Sequence, residues 1–274
     1  MTTALLALTV IAVSLAAGLA PRRFADKLSV RWLEDLTGVA SGLLLVSAIL
    51  VVVPEGFHVA AGSAEPDAAF AFQPVILGLA ILGGFSLMLI LEGLGVGHAV
   101  HEEHHDHVAG HGHGHVHHPV SGSVMALGLS IHALADGLAI GAAAASGETS
   151  VSVLVTFGVL VHRVPAALSL GLFSLHQPGG EKAALRGLVL FALATPLSLV
   201  ISYLALDSVD GSVLALVLLF SAGTFVYVAT VDTLPAIHNP ATGRRSVRNV
   251  VASAAVYSVI LLLLRNAEVF EHTH

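Results

Sequence analysis

The stretch IHALADGLAIG at residues 131–141 places His132 and Asp136 four positions apart, and HRVPAAL at 162–168 supplies His162 followed at once by Arg163. In a helix, residues four apart lie about 40° around the axis and one turn along it, so His132 and Asp136 share a face and can hold one ion. Pro165 leaves the carbonyl of Val161 without its usual intrahelical partner. Irregular backbone at membrane depth normally lines a cavity. Two imidazole nitrogens and a carboxylate form a borderline ligand set that suits Zn(II), with Cd(II), Fe(II), Mn(II) or Co(II) admissible. Cu(I) fits poorly, because the chain has no cysteine and Met1, Met88 and Met125 form no stripe of thioethers. Both ligand types bind metal only when deprotonated, so affinity is expected to fall as the pH drops.

The elements that hold these side chains are expected to span a bilayer. Of 274 residues, 55% are hydrophobic and 11% charged, with a mean hydropathy of +0.88. That composition is of an all-α integral membrane protein, one transmembrane transporter domain over 1–274, with no room for a soluble domain and no sign of a nucleic-acid partner. Eight apolar segments read as spanning helices: 4–20, 36–58, 75–97, 121–147, 150–175, 187–206, 211–236 and 249–264. The first has no Lys or Arg before its apolar run while PRR follows it, the reverse of a signal peptide. The absence of cysteine excludes disulfides, thiolate metal sites and thiol catalysis.

Cations resist translocation and gather on the cytoplasmic side. Arg22, Arg23, Lys27 and Arg31 lie in or just after the first connection, Lys182 and Arg186 in the fifth, and Arg244, Arg245 and Arg248 in the seventh. The second, fourth and sixth connections carry only acids: Glu65 and Asp67, Glu148, and Asp207 and Asp210. Both termini are therefore expected to be extracytoplasmic, in the cell membrane if the host is prokaryotic.

The third connection then faces the cytoplasm. It holds ten of the 17 histidines in residues 98–118: His98, His101, His104, His105, His107, His111, His113, His115, His117 and His118. Its low complexity and interspersed glycines suit a flexible tether that buffers or senses metal, with no single geometry specified.

An ionisable side chain at the centre of a spanning helix costs roughly 2.5 to 3.5 kcal/mol and is usually kept for function. Glu55 and His58, at the outer end of the second segment, could collect an arriving ion. Glu92 and Asp232, near the cytoplasmic ends of the third and seventh, could receive it or pair with an arginine. The expected order is a carboxylate at the entrance, His132, Asp136 and His162 in the middle, and carboxylates at the exit.

These residues carry a resemblance. HALADGLAIG, HRVPAAL, FSAGTFVYVAT at 220–230 and VPEG at 53–56 are similar to ordered motifs of the ZIP (zinc- and iron-regulated transporter-like) family, in the branch with HAxADG and HKxPAA. The resemblance runs over nearly the full length. It implies an eight-helix bundle, divalent metal moving toward the cytoplasm as substrate with no cofactor, alternating access by sliding of helix groups, and often a homodimer. Many family members bind two adjacent metals with further Asn and Glu ligands. The corresponding positions here are Ala133, Asp136, Arg163 and Ala166. The resemblance therefore implies a mononuclear site, with Arg163 as the cation that replaces the second metal and neutralises Asp136.

Three other readings compete. A cation-diffusion-type exporter also uses intramembrane HxxxD, but commonly has six helices, a second such pair and a C-terminal metal-binding domain, whereas only RNAEVFEHTH follows the eighth segment. A metal-sensing membrane protein would need no path of ionisable groups. An intramembrane metalloenzyme would carry HExxH, and HEEHH at 101–105 matches it literally, but inside a histidine-dense loop where such a match arises by composition.

Overall fold

A backbone surrounded by lipid must satisfy its own N–H and C=O groups, and the apolar runs of this chain do so as helices. The computed structural model describes residues 3–24, 29–62, 74–94, 122–176, 180–231, 237, 240 and 242–271. Among them are eight helices long and apolar enough to cross a membrane. α1 is Thr3–Leu19, followed by the single turn Pro21–Phe24; α2 runs as Val30–Val46, Ser47–Val52 and Val53–Gly62; α3 is Pro74–Gly93; α4 is Gly122–Ala145; α5 is Thr149–His176; α6 is Gly180–Leu206; α7 is Gly211–Val231; and α8 is Gly243–Glu271.

The ends differ from the hydropathy segments for local reasons. α6 and α8 begin seven and six residues before the apolar runs expected at 187 and 249, because Lys182, Arg186 and Arg244 to Arg248 prolong a helix that hydropathy alone cuts short. α2 continues to Gly62. Pro54 has no N–H to give, and the π-helical turn Ser47–Val52 just before it, closed by the Val53 N–H on the Ala48 carbonyl, lets the helix carry on past the proline.

Four helices form one packed group: α4 lies along α6, α1 packs on α5 and α6, and α4 on α5. In a second group α7 packs on α2 and α3, and α8 on α2. α7 also touches α4, and α2 touches α5, across the boundary. α3 and α8 are the most peripheral helices, while α4, α5 and α7 are mostly buried.

Small residues set the closest approaches. A Cβ on Gly137 would meet the Thr195 carbonyl and the Ser198 side chain, and one on Gly141 would meet Ser202 and the Leu199 carbonyl, so the two glycines of HALADGLAIG seat α4 against α6. Three hydroxyls of α6 tie the seam. Thr195 donates to the Ala133 carbonyl at 2.7 Å, Ser198 to Leu134 at 2.7 Å and Ser202 to Gly137 at 3.3 Å. At the ends of α2 and α8, Asp35 accepts from Arg245 and, at 2.7 Å, from Asn249. Asp210 caps α7 by accepting from the Ser212 N–H and hydroxyl, both at 2.7 Å. Those bonds hold its carboxyl below the ordinary range.

Candidate metal centre

The connection from α4 to α5 is short and turns at Gly147, whose φ of 82° is a left-handed conformation that favours glycine. His132 and His162 are equidistant from Gly147 in sequence. Two antiparallel helices joined by so tight a turn bring them level, with Asp136 one turn nearer the turn.

The side chains converge accordingly. His132 Nε2 and His162 Nε2 are 3.3 Å apart. His132 Nε2 lies 3.6 Å from Asp136 Oδ1, and His162 Nε2 lies 3.4 Å from Asp136 Oδ2. For ligand atoms about 2.0 to 2.2 Å from a tetrahedral zinc, the ligand–ligand edges are about 3.3 to 3.6 Å. The observed separations are of that size, with each histidine facing its own oxygen of Asp136. His162 Nδ1 lies 3.2 Å from the Gly158 carbonyl, which accepts if Nδ1 carries the proton. In that tautomer the Nε2 lone pair is left to face His132 and Asp136. Asp136 is 1% exposed, and neither of its carboxylate oxygens has a hydrogen-bond partner. A buried carboxylate without such partners is costly unless something else neutralises it.

Arg163 supplies part of that charge, its Nη1 3.5 Å from Asp136 Oδ2. It is 1% exposed and does not reach for either surface. Its Nε donates to Ser14 Oγ at 2.6 Å, Nη1 to Thr195 Oγ1 at 2.5 Å and Nη2 to the Phe191 carbonyl at 2.5 Å. The guanidinium carbon also lies 4.1 Å above the Phe191 ring, a cation–π contact. Ser14, Phe191 and Thr195 were not singled out from the sequence. A buried serine in α1 and a TP pair in α6 carry no periodic signal, and only the packing of α1 and α6 on α5 reveals them.

With this geometry in hand, comparison with known proteins is decisive. The family model for ZIP zinc transporters matches residues 95–263. Zinc transporter ZIP9 of Xenopus tropicalis is 32% identical over 248 residues, covering 77% of this chain and 79% of the relative. The chain belongs to the ZIP family. Zinc transporter ZIP9 of Macaca fascicularis is 37% identical over 151 residues, 50% of this chain and 64% of that one, and zinc transporter ZIP2 of Homo sapiens is 31% identical over 133 residues, 47% and 42%. This ZIP chain is therefore a multi-pass membrane protein and a metal transporter, not an enzyme, and the metal is substrate rather than cofactor. The cation-diffusion family and metalloenzyme readings fall away.

Among the described residues, His132, Asp136 and His162 are the one group of three metal-ligating side chains with ligand atoms within 4.8 Å of one another. Glu55, His58 and Glu92 stand outside it. Glu55 was expected at the outer end of the second segment, but the continuation of α2 to Gly62 leaves it about two turns short of that end. It is 9% exposed, whereas His58 is exposed. Glu92 was expected to bind metal or an arginine, and it accepts a hydrogen bond from the Tyr227 hydroxyl of α7. Tyr227 in turn packs edge-on against Phe85, centroids 5.1 Å apart. A buried tyrosine in FSAGTFVYVAT requires a partner for its hydroxyl, a sequence signal that would have pointed to an acceptor. Asp232 and the histidines between His98 and His118 lie outside the described residues.

Proposed function

We propose that this chain carries divalent zinc toward the cytoplasm, one ion at a time, on His132, Asp136 and His162. The observation that carries this reading is the convergence of two imidazole nitrogens, 3.3 Å apart, on a buried carboxylate whose two oxygens lie 3.6 and 3.4 Å from them. Its N,N,O donor set favours zinc among the divalent ions, with a fourth position for water. The ZIP relatives bear the name of zinc transporters.

Arg163 supports a single ion. A fixed cation 3.5 Å from Asp136 repels a second divalent charge where the family's other arrangement would hold one. In this reading Glu55, buried in α2, is the carboxylate met before the site. Glu92, Asp232 and the histidine-rich connection receive the ion beyond it. The inward direction and extracytoplasmic termini follow the distribution of lysine and arginine and the family resemblance.

Uptake by the purified protein in liposomes tests the assignment. His132→Ala and Asp136→Ala abolish zinc uptake while the helical circular dichroism is retained; uptake by both variants at the unsubstituted rate overturns the site. The same vesicles with competing Cd(II), Fe(II) and Mn(II) report the metal preference.

A further inference from the structure

The four groups around the Arg163 guanidinium are arranged so that it approaches Asp136 without bonding to it. Ser14 Oγ donates its hydrogen to the Val10 carbonyl at 2.6 Å, and Thr195 Oγ1 donates its hydrogen to the Ala133 carbonyl at 2.7 Å. A hydroxyl has one hydrogen and two lone pairs. With each hydrogen committed to backbone, both oxygens face Arg163 as acceptors only, polarised by the bonds they donate. Nε, Nη1 and Nη2 are thus each held by a fixed acceptor, and the Phe191 ring lies beneath the cation. All of these groups are buried: Ser14 and Thr195 are 0% exposed and Phe191 1%.

Held in this way, Nη1 stops 3.5 Å from Asp136 Oδ2. A charge-assisted N–H···O bond would be about 2.8 Å, so the guanidinium stands off by roughly 0.7 Å. The two carboxylate oxygens accordingly have no hydrogen-bond partner. The Coulomb attraction of the cation is kept, but Asp136's lone pairs are left for another ligand.

The geometry points to Ser14 and Thr195 as positioning residues for metal binding: they bracket Arg163 so that it neutralises Asp136 before metal binds without competing with the ion for its oxygens. Remove either hydroxyl, and a buried N–H of the guanidinium loses its acceptor. Nη1 already faces Asp136 Oδ2 at 3.5 Å, and with one anchor gone the guanidinium is free to close that gap. Zinc must then break an arginine–carboxylate bond to enter. The bracket is built from two helices and fastened to a third: Ser14 is on α1, Thr195 and Phe191 are on α6, and Thr195 also grips the α4 backbone at Ala133, the residue after His132.

This inference rests on the reading of His132, Asp136 and His162 as the zinc site, and the test separates the two. Zinc binding to the purified protein is measured at equilibrium for Ser14→Ala, Thr195→Val, Thr195→Ser, Asp136→Ala and Arg163→Gln, and for Ser14→Ala combined with Arg163→Gln. Ser14→Ala and Thr195→Val are expected to raise the zinc Kd about tenfold, a coupling of the size seen between contacting residues. Thr195→Ser, which keeps the oxygen, rescues the affinity. In the Arg163→Gln background, which has no cation to collapse, Ser14→Ala has no further effect. A general packing role would weaken binding in both backgrounds alike. The proposal is overturned if Ser14→Ala and Thr195→Val bind zinc as tightly as the unsubstituted protein, or if the loss persists undiminished without Arg163. Should Arg163→Gln not fold, the contrast between Thr195→Val and Thr195→Ser decides, and equal losses in the two overturn it. If Asp136→Ala itself binds zinc normally, the site assignment has failed and the bracket falls with it, whereas loss in Asp136→Ala with no loss in Ser14→Ala and Thr195→Val overturns the bracket alone.

Discussion

Arg163 shows how one residue type changes what a site can hold. Guanidinium stays charged at any pH a membrane protein meets, so its burial is tolerable only with acceptors and a counter-charge. Here it has three acceptors, an aromatic face and Asp136 at 3.5 Å. Replacement by leucine leaves the Asp136 charge with less compensation, and breaking a buried pair in this way costs about 3 to 5 kcal/mol. Arg163→Leu is therefore expected to unfold at a lower temperature in zinc-free buffer. Saturating zinc, which supplies the missing positive charge, should narrow the gap to the unsubstituted protein. A gap that ignores zinc would show that Arg163 is not the counter-charge of Asp136.

At the scale of elements, the seam between α4 and α6 governs the site as much as the ligands do. His132 and Asp136 present one face of α4, while Gly137 and Gly141 let its backbone lie against Thr195, Ser198, Leu199 and Ser202 of α6. A methyl at Gly137 would run into the backbone carbonyl of Thr195, which cannot yield as a flexible side chain can. Gly137→Ala is expected to cost about 1 to 3 kcal/mol of stability and to reduce zinc uptake, although every ligand remains. Gly78 of α3, where an added Cβ meets nothing within 4 Å, is the matched control. Thermal unfolding and vesicle uptake of the two alanine variants, measured side by side, distinguish a seam effect from a general sensitivity to alanine. The π-helical turn of α2 works at the same scale, carrying the helix past Pro54 and drawing Glu55 inside the bundle.

For the whole molecule, orientation is the property the cations predict. Each even-numbered connection is expected on the extracytoplasmic face, and the absence of cysteine makes this testable without a background of native thiols. A cysteine at Ser208, exposed between α6 and α7, should react with a membrane-impermeant thiol reagent in intact cells. One at Arg23, exposed after α1, should react only after permeabilisation. The reverse pattern would put both termini in the cytoplasm and turn the proposed transport direction around.

The number of spans and the membrane setting were legible in the sequence because both depend on hydropathy, which is additive along the chain. HALADGLAIG and HRVPAAL were legible for a different reason. Ionisable groups are rare enough in apolar helices that His132, Asp136, His162 and Arg163 stood out individually. Helix ends were less so, since Lys182 and Arg244 lower the hydropathy of turns that remain helical, and α2 runs on past residue 58 to Gly62. The tertiary structure alone decided which neutral groups serve the site. Ser14, Phe191 and Thr195 are ordinary residues of α1 and α6, and they matter through hydrogen bonds to a residue on α5 that is far away in sequence. A hydroxyl's role depends on which donor faces it across a helix interface, and no local pattern of residues encodes that.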